Sequence, residues 1–484
     1  MKYIHNIHHY LGTFFFGMFL VWFLSGFVMM YKSFPFLSEK ERIESNEVIK
    51  PHYNLPHPTS VFADHKNESF NSLRINRILG KPIYHLISAG GTFLSRFAYS
   101  NETLKINKTS ALQIAKTFTG LSANADVLVL NKVDQWMPTP KYANHLPVYK
   151  VRFSDPSRSF VHVSSKTGEV LSNTSRSDRV WAWLGAIPHW MYLKEIRMHK
   201  TLWSQLCIWL SAFGFVMSLS GIITGIVRYR KKPKAGFKRF KNKWYNVHYY
   251  TGLAFGLFIC TWIFSGFMSM SPFNWSYDFS LSEKESATWE GRTTSLNTIT
   301  TKEWTTLQES LLSGSTKEIH FSAFSGKLFS SLFHSEAKET ICLSDTNFSL
   351  DENEVSAQVN QVNKDDAVLK VSLMNQYDNY YYDKHNIKAL PVFKAETQNQ
   401  LVYYILPSNG KMLLKSDYTN RLERWLYHGL HSLDFRFLTN NRPLWDIVMI
   451  TLLLGGTAVC ITATWMGIKF VSRKKRVYHK RKSR

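Results

Sequence analysis

Among the residues able to bind metals or carry charge, the histidines have the most telling placement. His8 and His248 stand at the start of two apolar stretches, and His189 and His431 stand shortly before two others. A neutral imidazole is a common metal ligand, and two of them facing one iron from opposite sides hold it axially when each rides on a rigid element. His5 and His9 lie within a turn of His8 and are possible substitutes for it, since spacings of three and four residues share a helix face. The same holds for His428, three residues before His431, and for His199. Cys207, Cys260 and Cys460 sit in apolar stretches and only Cys342 lies outside them, so neither a disulfide framework nor a thiolate-held iron–sulfur cluster is expected. No spacing of Ser, His and Asp singles out a hydrolytic triad, and no Gly-rich loop offers a phosphate cradle, so no catalytic residue is assigned.

The elements that must position these imidazoles are membrane spans. In a chain of 484 residues, charged side chains make up 19% and aromatic ones 15%, a balance that points to a membrane protein with sizeable soluble parts. Four segments, approximately 10–31, 202–227, 249–271 and 444–468, are apolar over the roughly 20 residues a bilayer crossing needs. The first three hold no charged side chain, and the fourth has only Asp446 near its outer edge. The net charge of +24 sits mostly in two runs, Arg228–Lys243 and Lys469–Arg484, each with nine Lys or Arg and no acid. Both runs follow an even-numbered span, so the positive-inside rule puts them and the N-terminus in the cytoplasm and both long loops outside. Their place beside spans explains them without nucleic acid. The first span lacks a small-residue cleavage site and is expected to be retained.

The chain reads as a tandem duplication. His8-His9-Tyr10-Leu11-Gly12 recurs as His248-Tyr249-Tyr250-Thr251-Gly252, and Trp22-Phe23-Leu24-Ser25-Gly26-Phe27 as Trp262-Ile263-Phe264-Ser265-Gly266-Phe267. Further on, Asp134-Gln135-Trp136 matches Asp378-Asn379-Tyr380, Pro147-Val148-Tyr149-Lys150 matches Pro391-Val392-Phe393-Lys394, and His189 matches His431. Each half is span, outer domain, span. Both halves therefore enter the membrane in the same orientation, with a pseudo-twofold axis along its normal.

The expected organisation is a first span within 1–31, an outer domain over 32–200, a second span over 201–227, a basic cytoplasmic loop over 228–247, a third span over 248–271, a second outer domain over 272–443, a fourth span over 444–468 and a basic tail over 469–484. The outer domains read as small α+β modules. In the first, Ser110–Thr119 has the apolar spacing of an amphipathic helix, with strands at Val127–Val133, Val148–Phe153 and Phe160–Ser164 and a turn at Lys166–Glu169. The second has strands near Ala367–Leu373, Val392–Ala395 and Leu401–Leu406 and a turn at Ser408–Lys411. Residues 272–362 are rich in Ser, Thr and Glu and read either as part of the second module or as a loose insertion.

Over nearly its whole length the sequence resembles the PepSY-associated transmembrane proteins, the iron-regulated inner-membrane group that includes bacterial ferric-siderophore reductases. The likeness rests on His8-x3-Gly12 with Trp22 and Ser25-Gly26, on Pro147–Lys150 with Val161-His162-Val163 and Thr167-Gly168-Glu169-Val170, on Gly185–Trp190 and Leu430–Phe435, and on Pro443–Asp446 with Gly455-Gly456. The resemblance implies four spans, periplasmic PepSY modules and haem held by histidines in the membrane. Some relatives carry a fused cytosolic flavoprotein reductase. Here only about sixteen residues follow the last span, so the electron donor is expected to be a separate cytosolic or membrane molecule.

The histidines support a bis-histidine site on their own placement. At the cytosolic face only the first and third spans carry histidines, and at the outer face only the flanks of the second and fourth do. Of the outer four, only His189 and His431 match in the repeat, because His199 aligns with Asn441 and His428 with Ala186. The expectation is one haem on His8 and His248 and another on His189 and His431, both of the b type since no Cys-x-x-Cys-His attachment motif is present. The protein would then be an inner-membrane oxidoreductase that passes electrons to an extracytoplasmic acceptor, by resemblance a ferric siderophore. Two other classes remain open: a PepSY regulator that restrains a periplasmic peptidase, and a small-solute transporter. The second calls for ionisable or broken-helix residues at mid-membrane, which the spans lack.

Overall fold

The computed structural model describes residues 1–482 except 52, 232–238, 277–279, 294, 336 and 384–387. Parts of both basic runs, 232–238 and 483–484, thus lie outside the described residues. Two compact units form, each from separated stretches: residues 1–34, 178–277 and 419–484 make one, and residues 35–177 and 278–418 the other.

The first unit is built on four long apolar helices, Lys2–Met29, Lys200–Lys231, Lys243–Met268 and Arg442–Lys482. Each is long and apolar enough to cross a membrane. They begin before the purely apolar stretches do, because helical hydrogen bonding continues through polar residues that a hydropathy reading trims. Asn242 fixes one such start by accepting the Trp244 N–H. As a result His8 and His248 lie inside helices. The first and third helices each pack against the second and fourth, so first and third stand on a diagonal of the bundle. Phe15, Phe19 and Phe23 from one side and Ile259, Trp262 and Ile263 from the other fill the space between them. The outward faces stay apolar and open, as at Phe14, Leu257 and Ile447, which is what lipid contact asks of a span.

The second unit holds three antiparallel sheets. One runs β4 (Ala125–Leu130), β5 (Val148–Phe153), β6 (Phe160–Ser164) and β7 (Val170–Thr174), backed by the helix Lys108–Thr119. That helix presents Ala111, Ile114 and Ala115 to Val151, Val161 and Val163, and stops at Gly120 in the left-handed region. A second sheet repeats the plan with β11 (Val368–Met374), β12 (Val392–Thr397), β13 (Val402–Ile405) and β14 (Met412–Ser416), backed by the helix Glu352–Val362. The third sheet has no counterpart in the sequence reading. Its order is β10 (Lys338–Cys342), β9 (Lys327–Phe333), β8 (Glu318–Phe324), β1 (Phe70–Ile78), β2 (Lys81–Ser88) and β3 (Phe93–Phe97). Arg74 pairs with His320 at its centre, so strands from both loops share one sheet. Residues 272–362 are therefore no loose insertion: they supply β8–β10 and the helices Glu283–Glu290 and Thr301–Ser310. Trp304 seals that core with Tyr84, its indole N–H bonded to the Leu55 carbonyl at 2.9 Å.

Candidate paired-histidine sites

His8 and His248, on the diagonal helices, have ring centroids 6.2 Å apart with planes at 35°. His189 and His431 lie 6.1 Å apart with planes at 71°. The second pair comes from short segments that lead into the second and fourth long helices. His189 is on the helix Ala186–Trp190, reached through Gly185, where a Cβ would stand 2.6 Å from Val28. His431 follows a π-helical turn, Arg424–Gly429, so the two halves deliver their imidazoles by different backbone routes.

The hydrogen bonds assign the tautomers. Ser25 Oγ donates to the Trp22 carbonyl at 3.0 Å, so its lone pair accepts from His189 Nδ1–H at 3.0 Å. Ser265 repeats this, donating to the Trp262 carbonyl at 2.8 Å and accepting from His431 Nδ1–H at 2.9 Å. Thr462 Oγ1 donates to the Val459 carbonyl at 2.8 Å and accepts from His248 Nδ1–H at 3.0 Å. His8 Nδ1 faces the Met217 carbonyl at 3.0 Å, which can only accept. In all four rings the proton therefore sits on Nδ1 and the Nε2 lone pair has no hydrogen-bond partner among the described residues. That is the state of a metal-ligating histidine held by an outer partner.

The separation decides between two ways of using those lone pairs. A direct N–H···N bond of about 2.9 Å would bring the ring centres to about 5.3 Å. Two metal bonds of about 2 Å, with about 1.2 Å from each nitrogen to its ring centre, put them about 6.4 Å apart. The observed separations of 6.2 and 6.1 Å lie closer to the second. Among the described residues no group of three or more His, Cys, Asp or Glu is placed to hold a metal ion. Each pair supplies two imidazole donors.

None of the substitute histidines joins a pair. His5 and His9 stack on one another at 6.4 Å on the exposed side of the first helix, and His9 also meets Phe470. His199 is exposed, and His428 is exposed beside the Tyr427 ring. The partners Met217, Thr462 and Gly221 escaped the sequence reading. Gly221 leaves the space for His8, since a Cβ there would lie 2.6 Å from its Cε1. Ser25 and Ser265 stood out as small repeated residues, but their hydroxyl role needs the fold. Between the pairs, Phe15, Phe19 and Trp22 run edge to face at 5.9 and 5.5 Å, and Phe23 meets Trp262 at 5.6 Å.

Four spanning helices and separate α+β sheet modules define a multi-pass membrane protein. The chain belongs to the PepSY-associated TM region family, whose model matches residues 5–469. No curated protein matches it in sequence.

Proposed function

We propose that this membrane unit carries two haem b groups and conducts electrons across a bacterial inner membrane to an extracytoplasmic acceptor, ferric-siderophore iron. The observation that carries the reading is the pair of 6.1 and 6.2 Å ring separations, each between imidazoles protonated on Nδ1. The residues fit the group: two imidazole donors per site, a surrounding of apolar helix side chains, and small residues at Gly26 and Gly266 beside the outer rings. The two sites and the repeated order of elements are read as products of one tandem duplication about an axis normal to the membrane. With both basic runs in the cytoplasm, His8 and His248 form the inner site, and the two outer modules lie in the periplasm.

When bound, haem would supply one-electron chemistry. The protein's part is to hold and to insulate. His8 and His248 fix the inner position through the Met217 carbonyl and the Thr462 hydroxyl. Phe15, Phe19, Phe23 and Trp262 keep water out of the path between the sites. His189 and His431, held by Ser25 and Ser265, would hold the outer group near the external face. A separate donor supplies it from the cytosol or the membrane. One electron per Fe³⁺ loosens a siderophore, because catecholate and hydroxamate oxygens hold Fe²⁺ far less well.

The test is the absorption spectrum of detergent-purified protein from haem-replete cells, before and after dithionite. A Soret band and a sharpened α band with two haems per chain are expected; their absence from folded protein rules the conduit out.

A further inference from the structure

Next to the outer histidines the two halves use the same device. Trp203 donates its indole N–H to the carbonyl of Trp190, the residue after His189, at 2.8 Å. Trp445 donates to the carbonyl of Ser432, the residue after His431, at 2.9 Å. An arginine lies over each indole: Arg197 at 4.2 Å from the Trp203 ring and Arg442 at 4.7 Å from the Trp445 ring. The halves differ in how that charge is met. Arg442 faces Asp446 at 3.4 Å and is more than half exposed. The position matching Asp446 in the first half is Ser204, and among the described residues Arg197 has no acidic partner. Its neighbour Glu195 is exposed and turned to Lys194. Arg197 also lies 5.2 Å from the Tyr192 ring, and its Nε and Nη1 are buried with no hydrogen-bond acceptor among the described residues.

Burying guanidinium N–H groups without an acceptor is costly, and a planar fork of N–H donors is suited to a carboxylate. We propose that Arg197 is the anion site of the outer cofactor and pairs with a haem propionate carboxylate, the role that Asp446 fills internally for Arg442. The assignment rests on the two-haem reading and names a residue that reading leaves unused.

The experiment compares wild type, Arg197→Gln, Arg197→Lys and the control Arg442→Gln, each reconstituted with haem or with haem whose propionates are methyl esters. Haem content, outer-haem affinity and midpoint potential are measured. Arg197→Gln is expected to weaken outer-haem binding about tenfold or more, the worth of a charge-assisted hydrogen bond. It should also move that potential to more negative values, because a positive charge favours the electron-rich state. Arg197→Lys should keep part of both effects, and Arg442→Gln should change neither. Esterified haem should bind wild type as weakly as Arg197→Gln binds ordinary haem, with no further loss when the two changes are combined. If wild type holds haem and the ester and the variant weaken it additively, Arg197 meets another anion, such as a lipid phosphate, and the assignment is wrong. It is equally wrong if Arg197→Gln matches wild type in affinity and potential. Wild type without a Soret band removes the two-haem reading and this assignment with it.

Discussion

The hydroxyl of Ser25 stands between the Trp22 carbonyl and Nδ1 of His189, and Ser265 stands in the same way between the Trp262 carbonyl and Nδ1 of His431. Each serine therefore accepts from one outer imidazole and orients its ring, and His431 Nδ1 also faces the Trp262 carbonyl at 3.3 Å. Loss of such an outer partner costs about 10- to 100-fold in metal affinity. Ser25→Ala and Ser265→Ala are expected to weaken the outer haem by that range while leaving the inner one in place. A less basic imidazole stabilises Fe³⁺ less, so the outer midpoint potential should rise. Redox titration of each variant checks both points, and Thr462→Val should produce the same change at the inner site instead.

The two pairs are separate along the first helix. His8 and Ser25 are about 25 Å apart at about 1.5 Å rise per residue. Removing one ligand should therefore empty one site only. His8→Ala or His248→Ala, and equally His189→Ala or His431→Ala, is expected to leave about half the wild-type haem. Double variants taken from the same pair should lose no more than the singles, whereas variants that combine the pairs should lose nearly all. Haem-to-protein ratios decide this, with His5→Ala, His9→Ala, His199→Ala and His428→Ala as variants expected to keep full content.

What could be read from the sequence follows from where the signal lies. The spans and the four histidines announce themselves because hydropathy and the repeat offset are local properties of the chain. The Met217 carbonyl that holds His8 is backbone and leaves no mark in residue types, and Thr462 gains meaning only when the third and fourth helices pack together. The six-stranded sheet was illegible for a different reason. Its central pairing joins Arg74 to His320, far apart in the chain, and its burial is not strictly alternating, with Ile83–Leu86 buried throughout. The four-stranded sheets were easier because each forms within one short stretch. Even there the last strands, β7 and β14, were read only as the turns that precede them.

His162 and Tyr404 occupy matching places in these two sheets. Asp134 accepts from His162 Nε2 at 2.9 Å and from Lys150 at 2.7 Å. Asp378 accepts from Tyr404 Oη at 2.8 Å and faces Lys394 at 3.5 Å. The other oxygen of each aspartate takes a backbone N–H, from Trp136 and from Tyr380, so the pair anchors the long loop before β5 or β12. Each module thus shows a donor the other should accept. His162→Tyr is expected to be more stable than His162→Phe by about 1 kcal/mol, the cost of leaving a partly buried carboxylate short of one donor. Equilibrium unfolding of the full chain in detergent measures the difference, and equal stabilities would mean that Lys150 alone satisfies Asp134.

Glu318 lies fully buried at the centre of the six-stranded sheet, held by Arg42 at 2.7 and 3.0 Å, by Arg74 at 3.0 Å and by Asn46 at 2.6 Å. The same arginines reach Glu169, so α-helical, β-strand and turn residues converge on one ion cluster. Burial works to raise the Glu318 carboxyl. The hydrogen bonds from His320 and Arg42 and the charges of both arginines outweigh it and hold the group below the ordinary carboxylate range. A depressed value means that the stabilisation is complete above the unfolded pKa of about 4.3 and is lost as pH falls through the folded one. The unit that holds the three sheets should accordingly lose stability below about pH 4, with protonation of the glutamates as the cause. Glu318→Gln leaves two buried guanidiniums short of an anion and is expected to cost about 3–5 kcal/mol at neutral pH. Its unfolding free energy should also fall less steeply than wild type between pH 5 and the acid limit, to be read from denaturant titrations at a series of pH values. Parallel pH profiles for the two proteins would show that Glu318 does not carry the acid sensitivity.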